Sequence, residues 1–313
     1  MQKNRNINIL VTGATGFIGS HLCKELTKNE YNVFGLYFSE NSGKIKELLN
    51  QKEIHLEKGD VRDFNFLKKI IKKNQIKIIF HLAATLPYAN DLEDPFLLFE
   101  VNARGTLSLL NAAYLNGVKK FIYASSSSVY SEPPQHLPVD ENHPTRPLTI
   151  YGASKLAGEL YCDAYSKSMD ITILRYCGAY GIGQDKHYAT YRFVNQALNN
   201  EPITIYGDGS QTSDFTYIGD IIKGTILAMK KNKPGVYNIS SGEETSIREL
   251  AEEVINLTDS DSKIIFTNEN TNRPFRFFLD IKKARKNFGY SPFSLRKGLS
   301  EYISELMNKI KTL

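Results

Sequence analysis

Tyr151 and Lys155 stand four residues apart in Y-G-A-S-K, a spacing that puts both side chains on one helix face, one turn apart. A phenol works as acid or base at neutral pH only if its ordinary pKa near 10 falls by ~3 units, about 4 kcal/mol of differential stabilisation. A lysine ammonium one turn away favours the phenolate and supplies part of that. Such pairs occur on many helices, so this one assigns nothing by itself. Upstream, the run A-S-S-S-S-V-Y (124–130) follows an apolar stretch that reads as a strand. A hydroxyl at a strand's carboxyl end sits in the crevice where open α/β sheets bind ligands, and there it can hydrogen-bond a reacting oxygen. A polar strand exit is the plain alternative.

The third group of residues is V-T-G-A-T-G-F-I-G-S, which places Gly13, Gly16 and Gly19 between an apolar run and a helical pattern. Glycines let the turn close tightly and let backbone amides approach a pyrophosphate. The following helix offers unpaired N–H groups and the positive end of its dipole. This is the pattern of a dinucleotide cradle. Dinucleotide folds commonly hold the adenosine ribose with an acid at the end of the second strand, ~20 residues past the glycines. Here that place, 24 residues after Gly13, is Tyr37, with Phe38, Ser39 and Glu40 behind it. No Arg or Lys follows until Lys44, so NAD is slightly favoured while NADP stays open.

The elements that must position these groups read as alternating strands and helices, which favours a parallel sheet covered by helices. Strands are expected at 7–11, 32–38, 76–82, 119–125 and 171–175. Helices are expected from about Phe17, with Ile18, Leu22 and Leu26 on one face, over 96–116, and from about Tyr151. Five prolines between Ser131 and Thr149 exclude a continuous helix or central strand there. Farther on come a short strand at 236–240, a helix opened by the S-x-x-E capping box of Ser246 and Glu249, and a last helix carrying Leu299, Ile303, Leu306 and Ile310.

At 313 residues with 41% hydrophobic and 23% charged residues, the chain has an ordinary globular composition. A net charge of +5, with no basic block, gives no support to a nucleic-acid partner. Cys23, Cys162 and Cys177 have neither framework nor zinc spacing, so no metal site is read and a reducing compartment fits. No run is long enough for a signal-peptide core or a membrane span, and a cytoplasmic protein is expected.

Together these residues resemble the extended short-chain dehydrogenase/reductases of the NAD-dependent epimerase/dehydratase group. The resemblance runs through GATGFIGSH (13–21), GDVRD (59–63), HLAA (81–84), VNARGT (101–106), SSSSVY (125–130), YGASK (151–155), LRYCGAYG (174–181), GDGSQTSDFTYIGD (207–220) and NRP (272–274). It implies an α/β fold, a Rossmann-type doubly wound parallel sheet with a smaller C-terminal α/β substrate-binding domain. The cofactor domain is expected at 1–175 plus about 212–240, and the substrate domain at 176–211 plus 241–313. Phe17 and Ile18 would lie against the pyrophosphate, Asp60 and Val61 against adenine, and Leu82, Ala83 and Ala84 along the cofactor, with Asn102 steadying the site and Cys177 on the cofactor side. Ser126 is the catalytic hydroxyl, Tyr151 the acid/base, and Lys155 grips the nicotinamide ribose. Ser127 would touch substrate, Thr204, Ile205 and Tyr206 would border the nucleotide base, and Arg273 would pair with a phosphate.

Where dehydratases of this group carry an Asp–Glu pair, this chain has Ser127 and Ser128, which argues against dehydration. Two substrate anchors are also replaced: a family Asn by Gly178 and a family Arg by Ser213. The expected activity is epimerisation at C4 of a nucleotide hexose through a transient keto intermediate. A 4-keto reductase or dehydrogenase using NAD(P)H is the alternative, and a catalytically idle dinucleotide-binding protein is a third reading that the intact Ser126–Tyr151–Lys155 set disfavours. Expected partners are a nucleotide sugar and a second copy of the chain in a homodimer, with neither nucleic acid nor membrane.

Overall fold

The computed structural model describes residues 7–39, 47–48, 54–86, 94–267 and 276–311. Six strands lead the chain: β1 (Asn8–Thr12), β2 (Asn32–Tyr37), β3 (Ile54–Lys58), β4 (Ile78–His81), β5 (Lys120–Ser126) and β6 (Asp170–Tyr176). Four short ones, β7 (Ala179–Tyr180), β8 (Ile203–Tyr206), β9 (Thr212–Ser213) and β10 (Thr216–Tyr217), precede β11 (Gly235–Ile239). Seven of these form one sheet in the order β11-β6-β5-β4-β1-β2-β3, parallel from β3 through β5. That is the Rossmann-type doubly wound order, and its winding reverses between β1 and β4. The ligand crevice of such a sheet lies outside the carboxyl ends of the strands at that reversal. Ile9, Leu10 and Val11 are wholly buried, as a parallel strand covered on both faces requires.

The helices follow from local chemistry. Phe17–Lys28 buries Leu22, Cys23 and Leu26, and Phe64–Lys73 is capped by Asp63, which accepts from the Phe66 amide. The expected helix over 96–116 is interrupted. A short helix Pro95–Leu98 opens into π-turns at Phe99–Arg104 before α-helix resumes at Gly105–Leu115. At that junction the Thr106 hydroxyl donates to the Asn102 carbonyl at 2.5 Å, satisfying a carbonyl in the widened turns. Strand β3 and helix Phe64–Lys73 escape the sequence reading. In β3 only Ile54 and Leu56 are apolar, set among His, Glu and Lys as an edge strand allows, while the helix is amphipathic, burying Leu67, Ile70 and Ile71 between lysines.

The chain divides into two compact units, 1–131 with 144–175 and 224–237, and 132–143 with 176–223 and 238–313. Three segments therefore pack differently from the expected domain limits: the proline-rich 132–143, 212–223 and 238–240 belong with the second unit. The reason lies in their hydrogen bonds. Val139 bridges to Leu279, and its carbonyl accepts from Asn238 Nδ2 at 2.9 Å. In the second unit β9 pairs antiparallel with β12 (Thr245–Ser246), and β8 pairs parallel with β13 (Ile264–Thr267). The capping box of Ser246 and Glu249 forms at the start of helix Ile247–Thr258. No helix among the described residues is long and apolar enough to cross a membrane.

Asp214 is the hub of the second unit. Wholly buried, it accepts from the Ser241 amide at 3.0 Å and the Ser241 hydroxyl at 2.5 Å, and from the Gly242 and Leu279 amides at 3.2 Å each. Burial raises its pKa, and these donors oppose the rise. Asp214→Ala leaves the buried Leu279 amide and the half-buried Gly242 amide without this acceptor, while the Ser241 amide keeps Thr216 Oγ1 at 3.0 Å, and the loss should cost about 3 kcal/mol. Thermal denaturation should show a Tm lower by about 6 °C or more; an unchanged Tm would refute the hub.

Candidate active site

Gly13 and Gly16 sit in the turn between β1 and the helix Phe17–Lys28, and Gly19 lies in that helix's first turn, where a Cβ would come within 2.1 Å of the Gly13 carbonyl. Gly13 has φ +71°, and a Cβ there would stand 2.9 Å from the Ala83 amide nitrogen, so only glycine lets the two loops approach. Gly16 caps the helix without a side-chain hydrogen bond, and the first turn holds no acid, so its positive end stays available for an anion. These features fit a dinucleotide pyrophosphate. Phe17 and Ile18 are half-buried in that first turn, and Tyr37 is half-buried at the end of β2. Leu82 and Ala83 are half-buried and Ala84 is exposed, just past β4. Asp60 is partly exposed, whereas Val61 packs into the core and can offer a ligand only its backbone.

Asn102 does not reach toward a ligand. It is fully buried, accepts from the Thr85 amide at 2.8 Å and donates to the Thr85 carbonyl and Ser154 Oγ at 3.0 Å each. It thus ties the cofactor-side loop to the helix Ile150–Tyr165. A second tie was unread in the sequence although HLAA displays it. His81 Nδ1 lies 2.7 Å from Thr12 Oγ1, and its Nε2 lies 2.9 Å from Thr106 Oγ1. Because Thr106 donates its own proton to Asn102, His81 must donate from Nε2 and accept at Nδ1. Burial and then the Lys155 charge push the His81 pKa down to about 3, so the ring is neutral.

Thr149 caps the helix Ile150–Tyr165, accepting from the Gly152 amide at 3.0 Å, and Tyr151 lies in the first turn where the dipole favours a phenolate. That turn packs on the serine run: a Cβ at Gly152 would come within 2.2 Å of the Ser128 carbonyl. Ser126 ends β5 and accepts from the Ser128 amide at 3.1 Å, and half-buried Ser127 opens the 3-10 turn Ser127–Val129. Lys155 is buried with its Nζ 4.4 Å from the centroid of the Tyr123 ring, and desolvation lowers its pKa to about 8. Behind it, Glu159 is held by Arg175 at 2.7 Å and by Ser125 at 2.5 Å. That carboxylate makes its hydrogen bonds to Arg175 and Ser125, and its charge favours the Lys155 ammonium only from a distance. The structure thus joins Ser126, Tyr151 and Lys155 through one helix start and one strand end.

Other expected residues lie in the second unit. Cys177 is buried, its carbonyl accepting from Thr216 Oγ1 at 2.8 Å. Thr204 and Tyr206 share the half-buried face of β8, whereas Ile205 points into the core at 1% exposure. Arg192, unread in the sequence, donates to the Thr204 carbonyl at 3.1 Å and stacks 4.8 Å from the Tyr206 ring. Gly178 has φ +54°, and a Cβ there would meet the Asp214 carbonyl at 1.8 Å. The backbone has therefore closed over the space a family Asn needs. Arg273 and the NRP segment lie outside the described residues.

A doubly wound sheet, a glycine cradle at its reversal and a Tyr–Lys pair beside a strand-end serine define a dinucleotide-binding enzyme that moves protons at a hydroxyl. Residues 9–240 match the NAD dependent epimerase/dehydratase family, and the chain belongs to that family. It is 35% identical over 312 residues to a putative UDP-glucose 4-epimerase of Methanocaldococcus jannaschii, covering 97% of this chain and 100% of that one. Among solved structures it resembles the UDP-glucose 4-epimerase of Thermotoga maritima with UDP-glucose, at TM-score 0.90 and 30% identity, covering 97% and 100% of the two chains. It also resembles the UDP-glucuronic acid 4-epimerase of Bacillus cereus with UDP-glucuronic acid and NAD, at TM-score 0.85 and 36% identity, covering 96% and 100%.

The buried ammonium has a measurable signature. A lysine pKa of about 8 in the folded state lies below its unfolded value, so the unfolded chain binds more protons between those two values. The desolvation penalty is fully present below about pH 8 and is relieved as pH rises toward the unfolded pKa. Lys155→Met removes the penalty. The unfolding free energy of the variant relative to the wild type should fall by on the order of 2–3 kcal/mol between pH 7 and 10. A difference independent of pH would show that Lys155 carries an ordinary pKa.

Proposed function

We propose that the chain is an NAD-dependent 4-epimerase of a UDP-hexose, inverting the C4 hydroxyl through a transient 4-keto sugar. The observation that carries this reading is the Tyr151–Lys155 helix turn packed on the Ser126 strand end, with hydroxyls and no acid at 127 and 128. Tyr151 takes the proton of the C4 hydroxyl, and Ser126 hydrogen-bonds the same oxygen. Lys155, charged below about pH 8, stabilises the phenolate and is placed to hold the cofactor ribose. Bound NAD supplies the hydride acceptor and then the donor. Once the keto sugar has turned its other face, Tyr151 returns the proton to oxygen, so protons and electrons both balance over the cycle. Two solved relatives are named as 4-epimerases of UDP-sugars, one of them with NAD, which supports the substrate class and the cofactor.

Within this reading Thr204 and Tyr206 border the base, the backbone of Ile205 lines it, and Arg273 contacts a phosphate. The chain acts as a homodimer in the cytoplasm. Support for pairing comes from the cofactor unit, where Phe96 (79% exposed), Phe99, Leu107 and Leu160 (65% exposed) leave apolar side chains uncovered on the helical segments 95–115 and 150–165. The reductase alternative draws on Tyr37, since a strand-two end without an acid holds NAD less firmly.

Incubating the protein with UDP-glucose and following product by proton NMR separates the two. The epimerase reading expects UDP-galactose to accumulate to an equilibrium mixture with no net change in reduced nicotinamide. Stoichiometric NAD(P)H consumption by a 4-keto sugar, without C4 interconversion, would contradict it. Tyr151→Phe should lower kcat by ~10²-fold or more while cofactor binding stays near wild type; turnover close to wild type would remove Tyr151 from the chemistry.

A further inference from the structure

Sequence order leaves the end of β2 without a charge reader, since no Arg or Lys occurs between Tyr37 and Lys44. The fold brings one there from another strand. Strand β3 pairs parallel with β2, Lys58 facing Tyr37, and the Gly59 amide donates to the Tyr37 carbonyl at 2.9 Å. The chain leaving β3 therefore runs beside the chain leaving β2, which in dinucleotide folds is the corner of the adenosine ribose. Arg62 stands in that corner. Its guanidinium carbon lies 5.8 Å from the centroid of Phe38, whose ring, next after Tyr37, is 64% exposed.

The same guanidinium is clamped by Asp60. Arg62 Nε donates to both carboxylate oxygens at 3.0 and 2.9 Å, its terminal nitrogen donates to Oδ2 at 2.6 Å, and the Arg62 amide donates to Oδ1 at 2.8 Å. The two side chains are 32% and 26% exposed, open enough to meet a ligand and too open for a structural core pair. Arg104 and Glu100 form an ion pair of their own and also act on this one, Arg104 on Asp60 and Glu100 on Arg62. The corner thus holds two guanidiniums, each paired with a carboxylate, and Lys58 opposite Tyr37 adds an exposed ammonium beside them.

Resting on the dinucleotide reading above, we propose that Arg62 reads the 2′ position of the adenosine ribose and that Asp60 sets the outcome by holding it. With the clamp closed, the guanidinium edge suits a neutral 2′-hydroxyl. A 2′-phosphate must compete with Asp60 for the same donors, which makes NAD the preferred dinucleotide by competition and not by an acid at the end of β2. Specificity here is an adjustable balance within one ion pair.

The test is direct binding of NAD and of NADP to protein stripped of co-purified nucleotide, by calorimetry, in the wild type, Asp60→Asn, Arg62→Ala and the double variant. The readout is the ratio of the two Kd values, so a general loss of adenosine affinity cancels. Asp60→Asn should shift the ratio toward NADP by ~10-fold or more, and Arg62→Ala should shift it toward NAD. The double variant should follow Arg62→Ala, because the shift acts through the freed guanidinium. A ratio unmoved by Arg62→Ala, or an Asp60→Asn shift that survives in the double variant, would overturn the role of Arg62 while leaving NAD binding intact. A wild type that binds neither dinucleotide would overturn the dinucleotide reading and this proposal with it.

Discussion

An ammonium stripped of water has to be stabilised by what surrounds it, and the buried Lys155 sets the terms for its unit. The Tyr123 ring lies beneath it, neutral His81 adds no competing charge, and Glu159 is committed to Arg175 and Ser125. A carboxylate paired tightly with Lys155 would hold the charge but cancel its pull on Tyr151. The arrangement instead keeps a cation of weakened solvation one helical turn from a phenol. Desolvation costs stability and returns it as electrostatic leverage, a pattern typical of sites where protons move near neutral pH.

That leverage depends on position, and position is set by polar ties running across the unit. Thr12 from β1, His81 from β4 and Thr106 from the following helix form one chain, which reaches Asn102 through the Thr106 hydroxyl. Asn102 then joins Thr85 to Ser154, and Ser154 donates to the Tyr151 carbonyl at 2.7 Å. Cofactor-side loop and catalytic helix are therefore fixed by the same buried groups. The π-turns at Phe99–Arg104 belong to this scheme, because they put Asn102 where a regular helix would not.

The sequence makes some of this legible and hides the rest for identifiable reasons. Gly13, Gly16 and Gly19 and the Tyr151–Lys155 pair can be read because their chemistry is local, a turn and a helix face. The sheet is legible where strands are buried on both faces, as in β1, and illegible at β3, where His55 and Glu57 break up the apolar signal. The ties of His81 and Asn102 join residues far apart in sequence. Arg62 is missed for the same reason: its partner ring belongs to a different strand end. Gly178 is readable as a substitution, but only the Asp214 carbonyl beside it explains why no side chain can return there.

The central claim is that hydride leaves and returns to the same sugar carbon within one active site, with Tyr151 moving the accompanying proton. The most direct measurement starts from a UDP-hexose deuterated at C4, incubated in ordinary water, with mass spectrometry and NMR of the inverted product. The account predicts that the epimer keeps its deuterium at C4, because the label passes to bound NAD and back without meeting solvent. Inverted product that has lost the label to water would contradict it.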